Sequence, residues 1–340
     1  MRQARPAWSR RRWPAVSSVG EFELIRRYFA AAACAQAGAG VALGIGDDCA
    51  LLELPADEQL AVSTDTLVAG VHFPAAADPF LLAQRALGVS VSDLAAMGAS
   101  PIGFTLALTL PGAEAAWLQA FAGGLDRMAQ DCAVRLIGGD TSRGPLSLTL
   151  TVFGRVPHGL ALTRAGARVG DLLCVGGELG DGAGALALVL GQRQAPAEIA
   201  EPLLARYWSP RPQLALGQAL RGKATAALDI SDGLLADCGH IAAASGVALL
   251  IEQARLPLSP ALLALLGASG ARNCALSGGD DYLLAFTLPA EHLAGLQAQG
   301  WPVHVVGRVE AGAGVQLLDQ QGQGITPQAR GYQHFGSDGD

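Results

Sequence analysis

Lysine is nearly absent from this chain: of 23 Lys plus Arg residues only Lys223 is lysine, and it sits in Arg-Gly-Lys-Ala. No G-x-x-x-x-G-K-[ST] phosphate loop exists, which excludes a Walker-type nucleotide site. Any phosphate bound here must be held by cations, backbone amides or arginines. Six cysteines (34, 49, 132, 174, 238, 274) lie scattered without a C-x-x-C pair, the pattern of reduced buried thiols and not of a zinc site or disulfide frame. No run of about 18 apolar residues occurs, so no membrane span is predicted. Aromatic residues make up 5% and the formal charge is −7, which argues against a general nucleic-acid surface. Arg2, Arg5 and Arg10 to Arg12 are followed by no apolar h-region, so residues 1–19 are expected to be a disordered extension and not a secretory signal.

Aspartate, in contrast, is organised. Nine of nineteen aspartates fall in six short motifs: Gly46-Asp47-Asp48, Ser63-Thr64-Asp65, Ser92-Asp93-Leu94, Gly138-Gly139-Asp140, Asp229-Ile230-Ser231-Asp232-Gly233 and Gly278-Gly279-Asp280-Asp281. Taken singly, each has an ordinary reading: a turn for Gly46-Asp47-Asp48, a capping or Asx-turn box for Ser63-Thr64-Asp65, and an N-cap for Ser231 or Asp232. Asp93 alone fits the surface of an amphipathic helix. Asp181, in Gly-Asp-Gly ahead of Ala185, is expected to be a cap, and Arg164 is either a phosphate clamp or a surface partner. Taken together, carboxylates and hydroxyls at probable strand ends repel one another unless a positive centre gathers them. Oxygen-only donors without His or Cys clusters suit a hard divalent cation, above all Mg²⁺. Mg²⁺ on carboxylates keeps room for phosphate oxygens, and phosphoryl chemistry is the first expectation. His72 stands in no Ser-His-Asp or Cys-His pattern, so nucleophilic catalysis is not indicated.

At 340 residues the chain is long enough for two cores. Strands are predicted at 48–54, 60–63, 104–110, 134–137, 146–156, 171–175, 224–230, 247–251, 282–288 and 303–309. Helices are predicted at 79–97, 115–131, 185–190 and 213–220 and from Ser231, Ser259 and Ala290, with an amphipathic stretch over 22–29. Within 196–212, Tyr207-Trp208-Ser209-Pro210-Arg211-Pro212 reads as a connector. The fold class is α/β (strictly α+β), two mixed-sheet domains, 20–157 and 158–336.

The motifs closely resemble those of the bacterial thiamine-monophosphate kinase family, within the aminoimidazole-ribonucleotide-synthetase-like superfamily. Carrying the likeness are Gly-Glu-Phe-Glu-Leu-Ile-Arg-Arg-Tyr-Phe, Gly-Ile-Gly-Asp-Asp-Cys-Ala-Leu-Leu, Ser-Thr-Asp-Thr-Leu-Val-Ala-Gly-Val-His-Phe, Ser-Asp-Leu-Ala-Ala-Met-Gly-Ala, Leu-Ile-Gly-Gly-Asp-Thr-Ser-Arg-Gly-Pro-Leu-Ser, Asp-Ile-Ser-Asp-Gly-Leu and Leu-Ser-Gly-Gly-Asp-Asp-Tyr, in order from about Gly20 to Phe335. The resemblance implies a cytoplasmic homodimer, paired through its N-terminal sheets, with an active-site cleft between its domains where several Mg²⁺ ions assist in-line transfer of the γ-phosphoryl group of ATP to thiamine monophosphate. It implies metal ligation by Asp48, Ser63, Thr64, Asp65, Asp93, Asp140, Asp229 and Asp232. ATP contacts fall on Gly139, Asp140, Arg164 and Ser231, and thiamine contacts on His72, Asp280 and Tyr332. No covalent nucleophile or general base is expected, because a phosphate acceptor is already ionised.

Two positions depart from the family pattern: Asp280 stands where Glu is usual, and Ser90 where Asn is usual. Rival readings are a purine-intermediate synthetase, a selenophosphate synthetase (the motif around Cys34 does not match), a silent metal–nucleotide binder and a metal-dependent phosphohydrolase.

Overall fold

Glu21–Leu24 (α1) runs into a π-helical turn, Ile25–Ala30, that buries Tyr28 and Phe29 at the start of the first core. The computed structural model describes residues 21–36 and 38–326. The Arg-rich segment 1–19 and Tyr332 lie outside them.

A small pair, β1 Val41–Leu43 and β2 Leu51–Leu52, precedes β3 Glu58–Val68. Then come α2 Pro79–Ala96, β4 Ser100–Leu110, α3 Ala115–Asp131, β5 Arg135–Arg143 and β6 Ser147–Pro157. The four long strands form one sheet in the order β3-β6-β4-β5, antiparallel except for the parallel pair β4 and β5. Helix α2 starts where it does because Asp78 accepts the Leu81 N–H at 3.0 Å and Pro79 presets the first turn. It stops at Gly98, whose φ of 64° lies in the left-handed region.

Helices α2 and α3 cover one face of the sheet, where Leu82, Leu87, Phe121 and Leu125 share a core with Leu148 and Leu150 of β6. The other face is half open. The β1–β2 pair packs over Ile102 and Ile137, but along β3 Leu60 and Val62 stay 44% and 54% exposed. Beside them Thr64 meets Thr151 and Thr66 meets Thr149 through hydroxyl bonds of 3.0 and 2.9 Å.

The second unit holds β7 Leu172–Val175, α4 Asp181–Val189, α5 Ala197–Trp208, α6 Leu214–Leu220, β8 Ala226–Asp229 and α7 Leu234–Ser245. After these come β9 Ala248–Glu252, α8 Pro260–Ser277, β10 Leu284–Leu288, α9 Ala290–Ala298, β11 His304–Glu310, β12 Gly314–Leu318 and β13 Gly324–Ile325. Its seven strands run β13-β12-β9-β11-β7-β10-β8, with β12 and β9 the parallel pair. Gly267, at φ 67°, kinks α8.

Ahead of the connector at 207–212, where no helix is predicted, the chain forms α5, which ends at Trp208. Ile199, Leu203 and Tyr207 recur four apart and turn toward one core, and α5 runs through Pro202 to reach them. Helix α2 is also not a surface helix. It is buried from Leu82 to Ala96 save Asp93, because the first sheet and α3 pack on one side while α6 and β8 of the second unit pack on the other. Among the described residues no helix is long and apolar enough to cross a membrane.

Candidate functional site

Side chains on β3 alternate, and this sorts its polar residues. Ser63 and Asp65 turn toward α2, where the Ser63 hydroxyl donates to Asp93 Oδ2 at 2.5 Å. Thr64 turns the opposite way and spends its hydroxyl on Thr151. One residue before Asp93, Ser92 donates to Asp229 Oδ2 at 2.7 Å, at the end of β8. Three carboxylates from three separated elements, Asp65, Asp93 and Asp229, therefore share one locus, with Ser63 and Ser92 as hydroxyl bridges.

The electrostatics show what this locus lacks. Burial raises the pKa of Asp65, the charge of Asp93 adds to the rise, and a bond from Ser90 opposes it. Burial also raises Asp93, against the Ser63 bond and the positive charge of Arg164. Asp229 is pushed up to about 7, by burial first and by Asp93 second, despite Ser92. One arginine does not balance three desolvated carboxylates, so the cluster takes up positive charge readily, as protons or as a cation. Among the described residues no three His, Cys, Asp or Glu side chains converge closely enough to cage an ion. A cation here would complete its ligands from hydroxyls, water and phosphate, which fits Mg²⁺.

Ser231 and Asp232 follow Asp229 and line the same cleft, a cavity of about 650 Å³ also bounded by His72, Arg85, Tyr207, Asp280 and Tyr282. At α7 the sequence favours Ser231 or Asp232 as the cap, but the cap comes from within the helix. Asp237 Oδ2 accepts the N–H groups of Ser231, Asp232 and Gly233 at 3.0, 3.0 and 3.1 Å. Those amides are committed to a carboxylate, whose own pKa burial lifts to about 6. Asp181 is not a cap either: it accepts the Ser259 hydroxyl at 2.6 Å and lies 3.9 Å from Arg206.

Asp48 and Asp140 lie elsewhere. They line a cavity of about 830 Å³ bounded by Ile25, Phe29, Gly44 to Ala50, Thr105 and Gly138 to Thr141. Asp140 accepts the Ser142 hydroxyl at 3.1 Å, and Asp47 Oδ1 accepts the Asp48 N–H at 2.8 Å. The acidic motifs thus divide between two cavities of this chain: Asp65, Asp93, Asp229 and Asp232 in one, Asp48 and Asp140 in the other.

At the far end of the inter-unit cleft the Gly278–Tyr282 loop is bound to the end of β8. Asp280 and Tyr282 donate their N–H groups to the carbonyls of Ser231 and Ile230 at 2.9 and 2.8 Å. Gly279, at φ 70°, passes so close to Ser231 that a Cβ would sit 2.4 Å from its carbonyl oxygen. Asp280 itself holds a left-handed φ of 61°. Its Oδ1 accepts Arg85 Nη2 at 2.7 Å and the Tyr282 hydroxyl at 3.0 Å. His72 Nδ1 accepts the Val68 N–H at 3.0 Å, and the His72 carbonyl accepts the Tyr207 hydroxyl at 3.2 Å.

Arg85 escapes a sequence reading. The one available signal is a charge inside the apolar run Leu82-Ala-Gln-Arg-Ala-Leu87. Burial opposes its charge, but Asp280, with Tyr282 and Tyr207, outweighs burial and raises its pKa.

Comparison with known proteins points one way. Residues 46–156 match the family model for the AIR synthase related protein N-terminal domain, and residues 168–320 match that for the C-terminal domain. The thiamine-monophosphate kinase of Escherichia coli K12 is 46% identical over 321 residues, covering 93% of this chain and 98% of that protein. The crystal structure of thiamine-monophosphate kinase from Stenotrophomonas maltophilia K279a superposes with a TM-score of 0.78 at 47% identity, over 82% of this chain and 91% of that one. A structure of AaThiL complexed with AMPPCP and TMP gives a TM-score of 0.76 at 31% identity, over 83% and 89%.

Proposed function

The chain belongs to the thiamine-monophosphate kinase family, and from that premise we propose that it transfers the terminal phosphoryl group of ATP to the phosphate of thiamine monophosphate, yielding thiamine diphosphate and ADP. The observation that carries this reading is the convergence of Asp65, Asp93 and Asp229 from β3, α2 and β8 in one inter-unit cleft.

Bringing a phosphate nucleophile to a triphosphate sets two anions against each other, and that repulsion is the main barrier. Bound Mg²⁺ supplies neutralisation of both partners. Asp65, Asp93, Asp229 and Asp232 would hold it, with Ser63 and the β3 segment at Thr64 beside them. Arg164, near enough to lower the pKa of Asp93, adds a fixed positive charge for the transferring group, and Ser231 adds a hydroxyl. The acceptor oxygen needs no base to ionise it, so the protein's task is to align and to desolvate.

Asp48, Gly139 and Asp140 line the other cavity, and we assign them to the nucleotide and its metals. We further assign the half-open face of the β3–β6 sheet, with Leu60, Val62 and Thr64 exposed, to a two-fold contact with a second copy. The domains follow as 20–157 for nucleotide binding and pairing and 158–336 for closing the cleft, in a cytoplasmic enzyme.

The test is one incubation with ATP, Mg²⁺ and thiamine monophosphate. Thiamine diphosphate and ADP are expected in equal amounts. Inorganic phosphate without thiamine diphosphate would mark a phosphohydrolase, and no ADP a silent binder.

A pH dependence follows from the raised carboxylates. Asp229 and Asp237 have folded pKa values of about 7 and about 6, against 3.8 for an ordinary aspartate. The folded chain therefore holds protons that the unfolded chain has released, and stability falls as pH rises through that window. In EDTA the urea midpoint is expected to be higher at pH 5.5 than at pH 8, on the acid side of both groups and the basic side respectively. Excess Mg²⁺ should narrow the gap by stabilising the charged forms. A midpoint that rises with pH in EDTA contradicts the assignment.

A further inference from the structure

The phosphoryl-transfer reading leaves Arg85 without a task, although it is among the most buried charges of the chain. Its residue is 3% exposed, on the face of α2 that looks into the cleft. It reaches across to the second unit, where Nη1 donates to the Tyr207 carbonyl at 2.9 Å and Nη2 to Asp280 Oδ1 at 2.7 Å. Its guanidinium carbon lies 3.9 Å from the centre of the Tyr207 ring, a stacked cation–π geometry. Nε is buried without a partner. A guanidinium committed in this way does not receive a phosphate.

We propose that Arg85 is a positioning residue for the acceptor substrate: it fixes the Asp280 carboxylate so that the second carboxylate oxygen faces the organic, cationic part of thiamine monophosphate. The proposal rests on the phosphoryl-transfer reading and adds to it a residue outside the family motifs.

Three observations combine. Arg85 and Tyr282 both donate to Oδ1, so Oδ2 is the oxygen left over on a side chain that lines the cavity and is 28% exposed. The backbone does not hold this carboxylate by preference, since Asp280 sits at φ 61° and Tyr282 at φ 50°; its bonds must hold it. Finally, aspartate is one methylene shorter than the glutamate usual here, and an arginine reaching from the opposite unit spans the distance with a rigid planar fork. An anchored carboxylate with one open oxygen suits an amino group or a ring cation, and thiamine monophosphate offers both: the amino group on its pyrimidine, at the end remote from the phosphate, and the thiazolium between the two. Arg85 does this without touching the substrate.

The experiment uses the full chain with ATP, Mg²⁺ and thiamine monophosphate, plus calorimetric binding of thiamine monophosphate alone. Arg85→Met is expected to raise both Kd and KM for thiamine monophosphate about 100-fold, the scale seen when one member of a buried charge pair is removed. The value of kcat at saturating acceptor should stay within about fivefold and KM for ATP within about twofold, because the lost contact is ground-state binding. Arg85→Lys should cost about tenfold in the same KM, and adding Asp280→Glu to it should recover most of that by restoring the combined length of the pair.

An unchanged KM for the acceptor in Arg85→Met overturns the proposal. So does a parallel loss in kcat, both KM values and the urea midpoint, which marks a residue that only joins the two units. If Arg85→Met does not fold, the lysine variant and its Asp280→Glu partner decide: no rescue overturns it. A wild-type chain that makes no thiamine diphosphate overturns the parent reading and this one with it, whereas an active wild type beside an unaffected variant overturns this one alone.

Discussion

Asp229→Asn is expected to lower kcat about a thousandfold, the order of loss when one charge-stabilising group is removed from a preorganised site. The same change should leave the metal-free fold intact or strengthen it. Asparagine has the same shape, and its carbonyl oxygen can still accept the Ser92 hydroxyl that now reaches Asp229 Oδ2 at 2.7 Å. Neutralising the position also removes a buried charge that stands against Asp93, a repulsion costly without a cation. Turnover and metal-free stability should therefore move in opposite directions. A residue that serves the fold moves both down together. Measuring kcat at saturating Mg²⁺ and the urea midpoint in EDTA on one preparation reads both signs, and near-normal turnover would remove Asp229 from the metal set. Asp65→Asn should follow the same pattern, since burial and Asp93 raise its pKa as well.

How far such a site can be read from sequence depends on whether local pattern or distant packing decides each residue. The Leu-Thr-Val alternation over 146–156 predicts a strand, and β6 Ser147–Pro157 has that alternation, with the even-numbered residues from Leu148 to Val156 buried. The helix over 115–131 has the bounds of α3, because Leu118, Phe121, Leu125 and Met128 repeat on one face. Strand β3 is a different case. Its motif, Ser63-Thr64-Asp65, reads as a strand end with three oxygen donors together, yet the strand continues to Val68 and turns alternate side chains to opposite faces. The segment over 197–206 has no helix predicted, yet α5 forms there because the core contacts of Leu203 and Tyr207 outweigh the hydrogen bond that Pro202 cannot make. Most of all, α2 is amphipathic only if half of it meets water. Once two units pack on both its sides, Asp93 and Arg85 become interior charges. Asp229, whose charge stands against Asp93, and Asp280, which pairs with Arg85, are distant in sequence by 136 and 195 residues, a juxtaposition that no local pattern encodes.

Gly139→Ala is expected to destabilise the chain by about 4 kcal/mol and to abolish nucleotide binding at the larger cavity, while Gly138→Ala changes stability by less than about 1 kcal/mol. As neighbours in Gly-Gly-Asp, the two glycines read alike, both letting a ligand approach the backbone. The sheet separates them. In the parallel pairing of β4 with β5, Phe104 lies opposite Leu136 and Thr105 opposite Gly138, so Ile137 is the extra residue of a bulge and Gly139 comes to face Leu106. A Cβ on Gly139 would stand 2.0 Å from the Leu106 carbonyl oxygen, and Gly139 holds φ at 151°. Both contact and dihedral are backbone properties that no rotamer change relieves. A Cβ on Gly138 meets only the Thr105 methyl group at 3.7 Å, ordinary van der Waals contact. Alanine at 139 must part the two strands or reverse the bulge, and either outcome displaces Asp140 from the cavity it lines with Asp48. Urea unfolding of the two variants side by side, with calorimetric titration of an ATP analogue, reads both consequences. Equal midpoints would mean that the close approach of Gly139 to β4 is not what requires glycine there.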